Sequence, residues 1–287
     1  MIGSHTPTGG GIAKTALPYV DAAGSRAAQV YVSNSRGWAL PPGDPAQDAL
    51  FRAGCEERGV PVYVHASLLV NLGSPTPETV ERSAATLAHA LTRGAAIGAR
   101  AVVFHAGSSV DPAHYDAALK QVREALLPLL DRDGPLLLVE PSAGGGRSLA
   151  SRVEHLAEYF DAVDQHPRFG VCFDTCHAWA AGHDLAAPGG MTATLDALVA
   201  TVGTGRLGLV HANDSLDTCG STRDRHTTIG AGSIGVAPFA ELLAHPELAG
   251  VAVVVETPSE LDGSPSAGHA RDIALLTALR DEALIPA

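Results

Sequence analysis

The chain has 287 residues and 46% apolar content, enough for one large domain with a full core, and no run reaches the roughly 18 apolar residues of a membrane span. A formal net charge of −12 excludes a simple basic nucleic-acid groove, although bound divalent cations would change the sign locally. The four cysteines (Cys55, Cys172, Cys176, Cys219) form no CxxC pair or disulfide framework, and Met1–His5 carry no secretory pattern, so a cytoplasmic protein with reduced thiols is expected.

Ile2 to His5 reads as a short first strand, turned by Gly9–Gly11 into a helix at about 12–22. Ala28–Ser33 is the second strand, followed by the polar loop 34–38 and a helix over Pro45–Arg58. Val60–Val64 is the third strand and ends at His65; a long helix from Glu78 to about Ile97 carries Val80, Ala84, Leu87 and Leu91 at helical spacing. The fourth strand, Arg100–Phe104, ends at His105 and precedes a helix over about 112–130. The fifth, Pro135–Val139, ends at Glu140; Gly144–Gly146 then lead into a helix over 149–163. Phe169–Phe173 ends at Asp174, with His177 one turn into a helical region that Pro188-Gly189-Gly190 breaks before about Val202. Leu207–Val210 ends at His211, and a long polar loop (212–233) carries Asp224-Arg225-His226. A helix over about 237–243, a strand Val251–Val255 ending at Glu256, and a helix over 268–280 complete the chain.

Eight strands, most of them continuous apolar runs, alternating with helices predict a parallel, doubly covered sheet closed as a single α/β TIM barrel over residues 1–287. An open doubly wound sheet is the alternative, but Gly144–Gly146 does not fit a dinucleotide fingerprint and lies mid-chain.

In such a barrel every residue just past a strand lies on one rim. His65, His105, Glu140, Asp174, His211 and Glu256 then converge there, joined by His177, Asp224 and His226. Nine ligand-type residues exceed the needs of one ion and predict two or three, bridged by a carboxylate. Imidazole and carboxylate donors without sulfur suit zinc, manganese, iron or cobalt, and such clusters hydrolyse phosphate esters. His5, ending the first strand, is placed to orient a ligand. The remaining histidines (His89, His114, His155, His166, His183, His245, His269) read as surface or capping residues.

The chain resembles endonuclease IV, the metal-dependent apurinic/apyrimidinic endonuclease of bacteria, essentially end to end. The resemblance rests on Gly3-Ser4-His5, His65 with Asn71-Leu72-Gly73, Phe104-His105 with Gly107-Ser108, Glu140, Asp174-Thr175-Cys176-His177, His211 with Asn213-Asp214, Asp224-Arg225-His226 and Glu256-Thr257. It implies three Zn2+ ions per chain, with Mn2+ as an occupant of part of the cluster. His65, His105 and Glu140 would hold the first; Glu140 would bridge to a second held by Asp174, His211 and Glu256; His177, Asp224 and His226 would hold the third. It implies cleavage 5′ to an abasic site in double-stranded DNA to leave a 3′-hydroxyl, trimming of blocked 3′ ends, no membrane partner and a monomer. Hydroxide would attack phosphorus, with Glu140 bridging the ions and Glu256 as base. Arg36, Trp38, Leu68 and Arg225 would contact DNA. Leu68 replaces an aromatic wedge usual in the family, Ala106 a proline and Pro141 an asparagine.

Three divalent ions would bring the net charge to about −6, leaving DNA binding to the local field at the rim. A sugar isomerase or epimerase on a related barrel is the competing reading, needing one or two ions and no site at Asp224 and His226. A non-enzymatic binding module is the third, but structural metal sites are usually closed around four ligands.

Overall fold

Runs such as Val62–Val64 and Val171–Phe173 have no polar face, so they fit only a sheet covered on both sides. The computed structural model describes residues 1–283. Its strands are β1 (Ile2–His5), β2 (Ala28–Tyr31), β3 (Val62–His65), β4 (Ala99–His105), β5 (Leu136–Glu140), β6 (Phe169–Asp174), β7 (Leu207–His211), β8 (Asp214–Ser215), β9 (His226–Thr227) and β10 (Ala252–Val255). All but β8 and β9 close into one parallel barrel in the order β1-β10-β7-β6-β5-β4-β3-β2. The open-sheet alternative is thereby excluded.

The helices are α1 (Ile12–Ala23), α2 (Pro45–Arg58), α3 (Pro77–Ala96), α4 (Tyr115–Leu130), α5 (Leu156–Ala162), α6 (Thr175–Ala180), α7 (Gly190–Val202), α8 (Ala237–Ala244) and α9 (Ala267–Ala283). The helix predicted over 45–58 forms with those bounds. Asp44 caps its start by accepting from the amides of Ala46 (2.9 Å) and Gln47 (3.3 Å), and Gly59 ends it in the left-handed conformation.

Two apolar regions form. One lies between the barrel wall and the helices. The other fills the barrel itself with mostly small side chains, among them Ala27, Ala101, Val103, Leu138, Leu209 and Val254. Leu138 occupies so much of this interior that an added Cβ on Gly208 would lie 2.6 Å from it. With the lower barrel sealed by apolar atoms, polar side chains collect at the mouth where the strands end.

Three expectations are corrected. The helix expected over 149–163 shrinks to α5 behind a 3-10 turn at Val153–His155, because Leu149 donates to Gly107 O (2.9 Å) and Ala150 O accepts from Ser142 N (3.0 Å). That stretch is committed to the loops after β4 and β5. The helix expected from Pro112 likewise starts with a 3-10 turn (Pro112–His114) before α4. The polar loop 212–233 contains the antiparallel ribbon β8–β9, with Asp214 opposite Thr227 and Ser215 opposite His226.

Candidate metal centre

His65, His105, Glu140, Asp174 and His211 are the last residues of β3 to β7, and Glu256 follows β10 directly. Parallel closure therefore brings them to one mouth, with His105 in register with Glu140 and Asp174 with His211. Asp174 also caps α6: its Oδ1 accepts from His177 N at 2.9 Å, which leaves Oδ2 facing the mouth. The spacing of Asp174 and His177 is thus that of a helix cap, with both side chains held on one short rigid element. Asp224 and His226 arrive on the ribbon. The buried Asp214 anchors that ribbon by accepting from the amides of Ser215, Gly230, Gly232, Ile234 and Gly235.

The donor atoms gather in overlapping groups whose members lie within 4.8 Å of one another. His65, His105 and Glu140 form one, Asp174, His211 and Glu256 a second, and Asp174, His177 and His226 a third; two more include a thiol, Cys172 with Glu140 and His211, and Cys176 with Asp224 and His226. Glu140 touches both sides, with Oε2 3.2 Å from His65 Nε2 and Oε1 3.2 Å from His211 Nδ1 and 3.1 Å from His177 Nδ1. Asp224 reaches His177 Nε2 at 3.2 Å and His226 Nε2 at 3.0 Å. Two donors each about 2.0–2.1 Å from a tetrahedral zinc stand about 3.4 Å apart, so these separations fit shared cations.

Two observations favour cations over a plain hydrogen-bond network. His226 Nε2 is buried and makes no hydrogen bond, although a carboxylate oxygen lies 3.0 Å away. Two donors that face the same point, and not each other, suit a third atom between them. Second, Glu140, Asp174 and Glu256 crowd together with only histidines as ionic partners; among the described residues no lysine or arginine neutralises them. Buried carboxylates in such company require cations or protons. Without metal the histidines take up the protons: against burial, carboxylate neighbours hold His177 well above the usual range and raise His226 to about 9, and Cys172, then Glu256 and Glu140, hold His211 well above it. The same imidazoles hold Glu140, Asp224 and Glu256 well below theirs, burial opposing. His105 is the exception, pushed down to about 4 chiefly by burial.

Three supporting residues escaped the sequence reading or gained a definite role. Gln29, fully buried on β2, donates to Glu256 Oε1 (2.7 Å) and accepts from His211 Nε2 (2.8 Å). A glutamine inside the apolar run Ala28–Tyr31 was the available signal. Asn213 donates to Asp174 Oδ2 (2.8 Å) while its Oδ1 accepts from Glu256 N (2.8 Å). His5 lies 3.3 Å from Glu256 Oε1, in the orienting place expected for it.

Above the donors opens a cavity of about 750 Å³, whose lining includes His65, His105, His177, Asp224, His226, Glu256 and Leu68. Leu68 is 38% exposed at its edge. Its amide donates to Ser35 O (2.8 Å), and Ser67 Oγ donates to Ser35 O and Gly37 O, so the Leu68 loop and the loop carrying exposed Arg36 and half-buried Trp38 form one unit. Arg225 is exposed but engages Asp217 through Nε and one terminal nitrogen. Two of the histidines expected at the surface are buried. His183 accepts from Val153 N (3.2 Å), and His269 lines the cavity between Tyr19 OH and Thr257 O, 2.8 Å from each. Among the described residues no helix is long and apolar enough to cross a membrane.

A family model described as "Xylose isomerase-like TIM barrel" matches residues 17–279. A curated protein of Streptomyces coelicolor named "Probable endonuclease 4" is 52% identical over 284 residues, covering 98% of this chain and 95% of the relative. The crystal structure of endonuclease IV from Thermus thermophilus superposes with a TM-score of 0.84 at 34% identity, covering 98% of this chain and 99% of that one. The 3-keto-D-glucoside 4-epimerase of E. coli shares the fold alone, with a TM-score of 0.69 at 18% identity and coverage of 96% and 98%.

Proposed function

We propose, because this chain belongs to the endonuclease IV family, that it is a DNA-repair enzyme that hydrolyses the phosphodiester 5′ to an abasic site, leaves a 3′-hydroxyl and trims blocked 3′ ends. It would act as a cytoplasmic monomer on double-stranded DNA. The observation that carries the reading is the gathering of nine imidazole and carboxylate side chains at one open mouth, with buried acids that no lysine or arginine among the described residues offsets.

We assign three Zn2+ ions to these donors, Mn2+ being the alternative occupant. His65, His105 and Glu140 would hold one; Glu140, Asp174, His211 and Glu256 a second; His177, Asp224 and His226 the third. When bound, the ions would offset phosphoryl charge and make water a nucleophile at neutral pH. The chain supplies the geometry. Gln29 and His5 hold one oxygen of Glu256, leaving the other at the mouth, 3.4 Å from His211 Nδ1. The Glu256 oxygen at the mouth would take the proton of the attacking water. Asn213 fixes Asp174 and the Glu256 backbone together, so the two carboxylates move as one body. Leu68 would enter the base stack as an aliphatic wedge, beside Arg36 and Trp38, with Arg225 reaching phosphate through the guanidinium edge that Asp217 leaves free.

The test is nicking of a duplex with one abasic site, run beside a panel of ketoses. The wild-type chain should nick, and His226→Ala should lower the rate about 100-fold or more by dismantling one cation site. Ketose turnover that survives His226→Ala, with no nicking by the wild type, would replace this reading with a sugar isomerase.

A further inference from the structure

A second polar cavity, of about 340 Å³, opens where the loops after β4 and β5 meet. Those strands end in His105 and Glu140, so the cavity shares the rim with the cation donors. In the barrel order β4 and β5 stand across from β1 and β10, toward which the main cavity extends. It is a separate station on the same face.

Its chemistry is unusual for a chain of net charge −12. Among the described residues no carboxylate lines it; Arg147, His155, Ser109, Ser148, Ser151 and Tyr115 do. Arg147 is exposed. Nearby Arg152, Arg223 and Arg225 are each paired with a carboxylate, whereas Arg147 has none within ion-pair distance among the described residues. His155 Nδ1 accepts from the amides of Ser151 and Arg152, both at 3.4 Å, so Nε2 carries the proton and is left to donate.

The backbone under Arg147 is held firmly. Its carbonyl accepts from Ser109 N (2.9 Å) and from the hydroxyls of Ser108 (2.8 Å) and Ser109 (3.4 Å), and Ser108 bridges to Ser148. Next to Ser109 in the loop after β4, Val110 is 61% exposed at φ +63°, a left-handed conformation that a β-branched residue adopts only under constraint. On the far side Gly144 and Gly145 lie against Thr222 of the loop that carries Asp224, which links this cavity to the cation site.

We infer that this cavity is a phosphodiester subsite for the bound duplex, with Arg147 gripping one backbone phosphate away from the scissile bond and His155 donating beside it. A phosphate suits a pocket whose lining carries an unpaired guanidinium, an imidazole N–H and serine hydroxyls, with the nearby Glu158 carboxylate already engaged by the Tyr115 hydroxyl. The inference rests on the DNA-cleaving reading above.

The test follows the salt dependence of KM for nicking an abasic duplex by the metal-loaded full chain. Each phosphate contact contributes a slope of about 0.9 in log–log form. Arg147→Ser is expected to reduce the slope by about 0.9 and to raise KM more than it lowers kcat, with metal content unaltered. Arg132→Ser removes the same charge from the exposed loop between α4 and β5, at the opposite mouth, and is expected to leave the slope at the wild-type value. A neutral methylphosphonate placed at successive flanking positions should reproduce the Arg147→Ser effect at one position and add nothing further in that variant. A wild type that nicks while Arg147→Ser keeps its slope, or while the two serine variants shift alike, overturns this inference alone. A wild type that does not nick overturns the functional reading, and this inference with it.

Discussion

Gln29 joins Glu256 and His211 through one amide, and among the described residues no other uncharged side chain hydrogen-bonds to both side chains. Replacing it with leucine would leave two buried polar groups unpaired and let the carboxylate turn. Gln29→Leu is expected to weaken zinc binding about 10- to 100-fold in a chelator competition; unchanged affinity would deny it that role. The protonation pattern makes a further prediction at this scale. His226, raised to about 9 in the metal-free fold, contributes stability that is full below its unfolded value and is lost as pH rises through about 9. His177 and His211 act in the same sense. Glu140 and Glu256, held low, contribute stability above their unfolded values and lose it as pH falls. The chelator-stripped protein should therefore lose thermal stability progressively between about pH 6.5 and 9, and the zinc-loaded protein should not, because the ions replace the protons. Parallel Tm curves for the two forms would contradict this. At the same scale the nine side chains gathered at the mouth were legible because six end an apolar run, His177 lies one turn beyond Asp174, and Asp224 and His226 lie in the loop after β7. Gln29 and Asn213 were not assigned roles, because an amide carries no ligand signature until its partners are known.

The element that would complete the proposed third cation site is the ribbon β8–β9. Two-residue strands have no periodicity, so this stretch reads from sequence as a polar loop. Its order comes from a buried carboxylate, Asp214, satisfying five backbone amides. Asp214→Ala would strand those donors, at a cost of about 3 kcal/mol in urea unfolding. It should also empty the His177, Asp224 and His226 site in metal analysis while the other donors keep their ions. Equal loss from all sites would place the control elsewhere. The shortened α5 shows the same limit. Residues 149–152 are helix-permissive in sequence, but hydrogen bonds to the loops after β4 and β5 claim them.

For the molecule as a whole, closure of the sheet was readable from the near-absence of polar positions in eight strands, and closure alone turns scattered strand ends into a site. The fold does not by itself separate a nuclease from an epimerase, which shares it at 18% identity. On the proposed reading, what separates them is the number of cation sites at the mouth. The most direct measurement is stoichiometric reloading: strip the chain with chelator, return zinc in known equivalents, and follow both bound metal and nicking of an abasic duplex. The account predicts that nicking stays low until the last of three equivalents is bound and then rises with it. Full activity at one equivalent, or in the stripped protein, would contradict it.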